Sequence, residues 1–196
     1  WVLAQGRRYE ANIGGSVRSD DHFPKREGWE TTGRVGASWM FVDALSLKAA
    51  AYKGWRLPTL NELYRPFRVG ADATAANEAL KPERLKGAQI ALESHVEKID
   101  FSLTAFVNRL DGAIANVTVG QGPGVFPGVG FVAAGGTYRQ RQNLDAIRSK
   151  GVEADFAYDL SDNLNLHAAY SYVDARVRGV AGLNGKRPAQ VPKRNA

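Results

Sequence analysis

Ile99-Asp100-Phe101-Ser102-Leu103-Thr104-Ala105-Phe106-Val107-Asn108 alternates with a period of two. In an extended strand, Ile99, Phe101, Leu103, Ala105 and Val107 line one face. Asp100, Ser102, Thr104, Phe106 and Asn108 line the other. The pattern recurs along the chain. Val152, Ala154, Phe156, Tyr158 and Leu160 oppose Glu153, Asp155, Ala157 and Asp159. Leu164, Leu166, Ala168, Tyr170 and Tyr172 oppose Asn165, His167, Ala169 and Ser171. Shorter runs are Ala88, Ile90 and Leu92, and Val35, Ala37, Trp39 and Phe41. Alternation is weaker near Val2 and Leu47.

The connections carry as much information. Val42-Asp43-Ala44, His95-Val96-Glu97 and Ser161-Asp162-Asn163 read as short turns. Between them lie long segments, from about Ala11 to Glu30, Arg56 to Pro82, Gly120 to Gly136 and Arg178 to Arg187. Strict alternation of short and long connections is the asymmetry of a transmembrane β-barrel. A soluble sandwich has no reason to gather every long loop at one end. Trp39, Phe41, Trp55, Tyr158, Tyr170 and Tyr172 fall near strand ends, where a bilayer's headgroup level favours amphipathic rings. The expectation is an all-β fold of about seven or eight strands, all antiparallel, spanning a membrane.

Composition fits. The 196 residues contain no cysteine, so neither a disulfide framework nor a thiolate metal site exists. No run of 18 apolar residues marks a spanning helix, but a spanning strand needs only about 9–11 residues. The net charge is +6, with basic residues scattered among acidic ones, which does not describe a nucleic-acid surface. No secretory signal is visible. The chain opens on Trp1-Val2-Leu3 as if in mid-strand and ends at Val191-Pro192-Lys193-Arg194-Asn195-Ala196 as if a strand were starting. The expectation is therefore a piece of a longer barrel.

Four local motifs lie on this pattern. Gly54-Trp55-Arg56-Leu57-Pro58-Thr59-Leu60-Asn61-Glu62-Leu63-Tyr64 should end a strand at Pro58, which lacks a ladder donor, and start a helical turn capped by Thr59 and Glu62. Leu80-Lys81-Pro82-Glu83, with Asn77 ahead of it, should return the chain to the next strand. Gly151-Val152-Glu153-Ala154 and Arg187-Pro188-Ala189-Gln190-Val191-Pro192 fit the start of, and the approach to, later strands. In order and spacing these resemble the G-F-R-x-P-T-x-x-E-L-Y, N-x-x-L-K-P-E, G-x-E and R-P-x-x-V-P segments of TonB-dependent outer-membrane receptors, from about Thr31 to Arg194.

That resemblance implies an antiparallel transmembrane β-barrel fragment, about a third of a roughly 22-stranded wall, with long extracellular loops and short periplasmic turns. It implies a place in the outer membrane of a Gram-negative bacterium, among lipopolysaccharide. It implies import of a nutrient chelate, a ferric siderophore by default, with cobalamin, haem or sugar behind it. Energy would come from the TonB complex through a plug domain that residues 1–196 do not include; the final strands are also missing. No cofactor or nucleic-acid partner is implied. A passive porin-like barrel, a barrel hydrolase and a soluble β-sandwich are the rivals.

For ligand contact the loop after Arg56 stands out. Arg56, Arg65 and Arg68 offer forks for carboxylates and catecholates, and Tyr64 and Phe67 offer rings for aromatic ligands. The same arginines could instead hold lipid phosphates or pair with Glu62, Asp72 and Glu78. His167 and Ser171, with Asp155 or Asp159, are the residues a hydrolase would use, but polar lumen residues of this kind usually bind one another and water; no catalytic site is expected. His22 beside Asp20 and Asp21 reads as solvated loop charge, and no metal site is expected. The glycine-dense run from Gly120 to Gly130 lacks the lysine and helix of a phosphate loop and reads as a mobile loop.

Overall fold

The structure is a computed structural model describing residues 1–3, 6–11, 17–161, 163–179, 182–188 and 191–195. Asp162, Ala189 and Gln190 lie outside the described residues, as does the side chain of Asp21. In chain order the elements are β1 (Val2–Leu3), β2 (Gly6–Ala11), β3 (Val17–Phe23), β4 (Arg26–Glu27), β5 (Gly33–Val42) and β6 (Leu45–Arg56). Then come α1 (Leu60–Tyr64), β7 (Phe67–Val69), β8 (Asp72–Ala75), β9 (Glu83–Val96) and β10 (Ile99–Asp111). The remainder are β11 (Ile114–Gln121), β12 (Gly124–Phe126), β13 (Gly130–Val132), β14 (Thr137–Asn143), β15 (Ala146–Ser161), β16 (Leu164–Arg178) and β17 (Arg194–Asn195). No helix among the described residues is long and apolar enough to cross a membrane, a criterion that does not bear on strands.

The chain divides into two compact units. The first comprises Trp1–Thr31, Leu57–Lys81 and Ile114–Gln142, and the second the rest. The second is a seven-stranded sheet in the order β17-β16-β15-β10-β9-β6-β5, antiparallel throughout. Consecutive long strands are joined at one end by short connections, at 43–44, at 97–98 and between the end of β15 at Ser161 and the start of β16 at Leu164; the second turn falls later than expected, because His95 and Val96 still belong to β9. The sheet is open, with β5 and β17 at its edges.

Register puts the apolar positions of all strands on one face. Ala49, Ile90, Ala105, Val152 and Tyr172 lie abreast on five strands. The opposite face carries Lys48, Glu93, Ser102 and Asp155. The apolar face is not covered by a second layer: Val35 is 71% exposed, Val107 57% and Leu166 56%. Leaving such a side chain in water forfeits about 1.5–3 kcal/mol relative to burial. A whole sheet face of this kind is stable only against an apolar medium, which hydrocarbon supplies.

In the first unit, β2 pairs with β3, and β11, β14, β8 and β7 form a small sheet. This unit differs from the large sheet in two ways. Val2 does not belong to the large sheet; β1 pairs with β4, Val2 opposite Glu27. And not every pairing is antiparallel: β14 runs parallel to β8, Tyr138 opposite Ala73. A period of two marks a strand but says nothing of its partner or direction. Parallel partners need a long connection, and β8 and β14 sit in loops far apart in sequence.

Candidate functional site

The loop that follows β6 is built as its sequence suggests. Thr59 Oγ1 accepts from the Glu62 amide at 3.2 Å, and Glu62 Oε2 accepts from the Thr59 amide at 2.7 Å, closing a capping box over α1. Leu63 is fully buried under this turn. The other end of α1 is held by Arg141, whose Nη1 donates to the carbonyl of Arg65 at 2.7 Å and to that of Asn61. A cation is favoured there because helix-terminal carbonyls lack partners. Burial pulls the Arg141 guanidinium below its ordinary pKa.

Asn77 explains the first position of its motif. Its amide donates to the Glu62 carbonyl at 3.1 Å, its Oδ1 accepts from the Ala79 amide at 3.0 Å, and its Nδ2 donates to the Arg141 carbonyl at 2.8 Å. It ties helix, turn and β14 together. Arg26 holds the same turn through the Glu78 and Leu80 carbonyls at 2.6 and 2.8 Å. In the second unit, Arg56 and Glu83 lie opposite each other on β6 and β9 and form an ion pair at 2.5 Å.

The glycine-dense segment is folded. β12 and β13 form a hairpin, and Val132 is completely buried with Ala73, Ala75 and Tyr138. Phe126 stacks on Tyr138 with ring centres 4.5 Å apart, and the Tyr138 hydroxyl donates to the Pro127 carbonyl at 3.1 Å. Arg68 donates from Nη2 to the carbonyls of Val129 and Phe131, the latter at 2.7 Å. Asp72 accepts from the Thr137 amide at 2.8 Å and pairs with Arg139 at 3.0 Å. The Thr137 bond first, and Arg139 with it, holds the Asp72 carboxyl below its ordinary value.

The five residues picked out for ligand contact thus divide. Arg56 is engaged with Glu83, and Arg68 clamps the glycine hairpin. The Tyr64 ring packs on Phe23 with centres 4.1 Å apart. Arg65 and Phe67 present exposed side chains. Sequence reading missed Arg141, Arg26 and Asp72 as organisers of the loops. Their partners are mostly backbone carbonyls and amides distant in sequence, which no motif announces.

Among the described residues, neither a catalytic set nor a metal cluster is assembled. His167 and Ser171 share a face of β16, but four residues of strand separate them by roughly 13 Å. Asp159 is bonded to Asn165, and Asp155 accepts from Ser102 at 3.4 Å. His22 lies 3.5 Å from Asp20 at the surface, and no cluster of three ligating side chains occurs among the described residues.

Comparison with known proteins agrees with this geometry. The chain is 27% identical over 168 residues to the vitamin B12 transporter BtuB of Photobacterium profundum, covering 85% of this chain and 24% of that protein. It is 26% identical over 162 residues to the probable hemoglobin and hemoglobin-haptoglobin-binding protein 4 of Haemophilus influenzae, covering 79% and 16%. The siderophore receptor PirA of Acinetobacter baumannii superposes with a TM-score of 0.61 at 19% identity, over 89% of this chain and 26% of that one, which shows a shared fold. The chain thus spans less than a quarter of the length of each of the two sequence relatives, and 26% of the receptor structure. Residues 2–196 match the family described as TonB dependent receptor-like, beta-barrel. With an open antiparallel sheet, one face apolar and exposed, this chain belongs to the TonB-dependent receptors and forms part of their β-barrel.

Proposed function

We propose that the complete protein imports a nutrient chelate across the outer membrane, most simply a ferric siderophore, with energy supplied by the TonB complex through a plug domain. The observation that supports it best is the second unit's sheet. Its open edges need further strands, because unpaired backbone groups are not tolerated in lipid. Its polar face would then line a lumen wide enough to hold a plug. Relatives named for vitamin B12, haemoglobin and siderophores span several chelates, and the siderophore choice rests on the exposed Arg65 and Phe67. An arginine fork and an aromatic ring suit an anionic, catecholate-bearing ligand.

A deletion strain complemented with the whole gene tests this. It should regain growth on one ferric siderophore of a panel that also holds haem and cobalamin, and lose it when TonB is removed. Growth independent of TonB would instead indicate a passive porin-like barrel. Rescue only by haem or cobalamin would refute the siderophore assignment.

A further inference from the structure

The face of the large sheet opposite the exposed apolar one changes character along the strands. Near the long connections Arg56 pairs with Glu83, and nearer the short turns Lys48 pairs with Glu93, each at 2.5 Å. Between the two pairs β9 turns Leu85, Gly87, Gln89 and Ala91 to this face, none of them charged. Two aromatic rings lie in this stretch. Tyr52 covers Gly87, where a Cβ would stand 2.5 Å from the ring. Phe106 covers Gly151 in the same way, with a Cβ there 2.6 Å from its ring. Both rings are half-buried, and neither stacks on another ring among the described residues. Each rests one side on the sheet backbone and turns the other away from it.

The polar groups beside the rings can donate. Arg34, Tyr52, Gly87, Asn108 and Ser149 lie abreast on β5, β6, β9, β10 and β15. Tyr52 donates its hydroxyl to Asn108 Oδ1 at 2.7 Å, which leaves Asn108 Nδ2 and the Ser149 hydroxyl without a partner among the described residues. Arg34 is exposed and makes no ion pair with a described residue. Counted from Arg56, Tyr52 lies about 13 Å along the strand, and Phe106, level with Ala50, about 20 Å. Both stand well inside the wall from the end where the long connections leave.

We infer that Tyr52 and Phe106 form an inner station on the import path, which holds a catecholate ring of the ferric chelate in passage. A planar aromatic ring stacks on a bare ring face, and its anionic oxygens accept from Arg34, Asn108 and Ser149. Charge complementarity sets the choice of ligand. One level offers a cation and two neutral donors and no carboxylate, which suits an anionic oxygen and not an ammonium group. The station rests on the proposed import of a catecholate siderophore, and adds where in the wall the chelate is held.

The test uses the full-length protein in TonB-competent cells, with a ferric tricatecholate chelate as probe. Phe106→Leu should lower its maximal uptake rate at least about fivefold, the worth of one aromatic stack. The Kd for surface binding, measured in cells lacking TonB, should stay within about twofold, because the station acts after capture. Phe106→Tyr, which keeps a ring, should restore uptake. Arg34→Gln, at an exposed position, should lower uptake severalfold with the amount of heat-modifiable barrel unchanged, and it carries the test if Phe106→Leu does not reach the membrane. Wild-type uptake in either variant, an equal loss in Phe106→Tyr, or a fall in surface affinity that matches the fall in uptake would overturn the inner station alone. Wild-type protein that imports no catecholate chelate would overturn the siderophore assignment, and this station with it.

Discussion

The Tyr52 hydroxyl donates to the Asn108 side-chain oxygen at 2.7 Å across the strand that separates them. Gly87 sits between the two in register, opposite both. A Cβ built on Gly87 would overlap the Asn108 oxygen and the Tyr52 ring. The glycine is there to let a ring lie flat on the sheet and bridge two strands.

Gly87→Ala should therefore destabilise the barrel of the complete protein by about 1–3 kcal/mol, as overpacking does. Tyr52→Phe, which removes only the hydrogen bond, should cost about 1 kcal/mol. Denaturant unfolding in detergent, followed by heat-modifiable gel mobility, ranks the two. Tyr52→Phe costing as much as Gly87→Ala would contradict the packing argument.

Glu97 in the turn between β9 and β10 has a φ of +47°, where a side chain is strained. Glu97→Gly should stabilise that hairpin by about 1 kcal/mol, because glycine enters this region without penalty. The same unfolding assay should show a higher midpoint with an unchanged slope.

Arg68→Ala should loosen the glycine hairpin, freeing the Val129 and Phe131 carbonyls at a cost of about 1 kcal/mol. Lysine should rescue it poorly, because it lacks a planar fork. Faster limited proteolysis within residues 124–132, with the long strands still protected, is the expected readout.

Acid should release the loop contact at Asp72. Its folded pKa lies below the ordinary 3.8. The contribution is therefore complete above the unfolded value, near 3.9, and is lost as pH falls through the lower folded value. Hydrogen exchange at the Thr137 amide should accelerate over that window, and Asp72→Asn should remove the acid-dependent step.

Arg65→Ala should weaken binding of the transported chelate about tenfold, the loss of one charge-assisted contact. Binding that is unchanged by Arg65→Ala, measured by titration on purified full-length protein, would remove this residue from the ligand site.

Much of the large sheet was written in local order. Alternation from Ile99 to Val107 fixes which face each side chain takes, because successive residues of a strand point opposite ways. The Thr59–Glu62 box and Pro58 set where β6 gives way to α1 by contacts within three residues. None of this required knowing a partner strand.

Other features are pairwise facts between distant segments. The parallel match of Ala73 with Tyr138, the grip of Arg141 on the Asn61 and Arg65 carbonyls, and the burial of Val132 depend on loops meeting in space. The level of the large sheet at which five neighbouring strands each place a cation is a fact of the same kind. Lys53, Lys86, Arg109, Arg148 and Arg176 look scattered along the chain, and only the inter-strand register brings them abreast. Sequence alone determined the long strands of the large sheet and their two faces, since period and turn chemistry are local, but not the short strands within the long connections. Tertiary structure alone decided which side chains share a level or a pocket, since that depends on which strands pair and in what register.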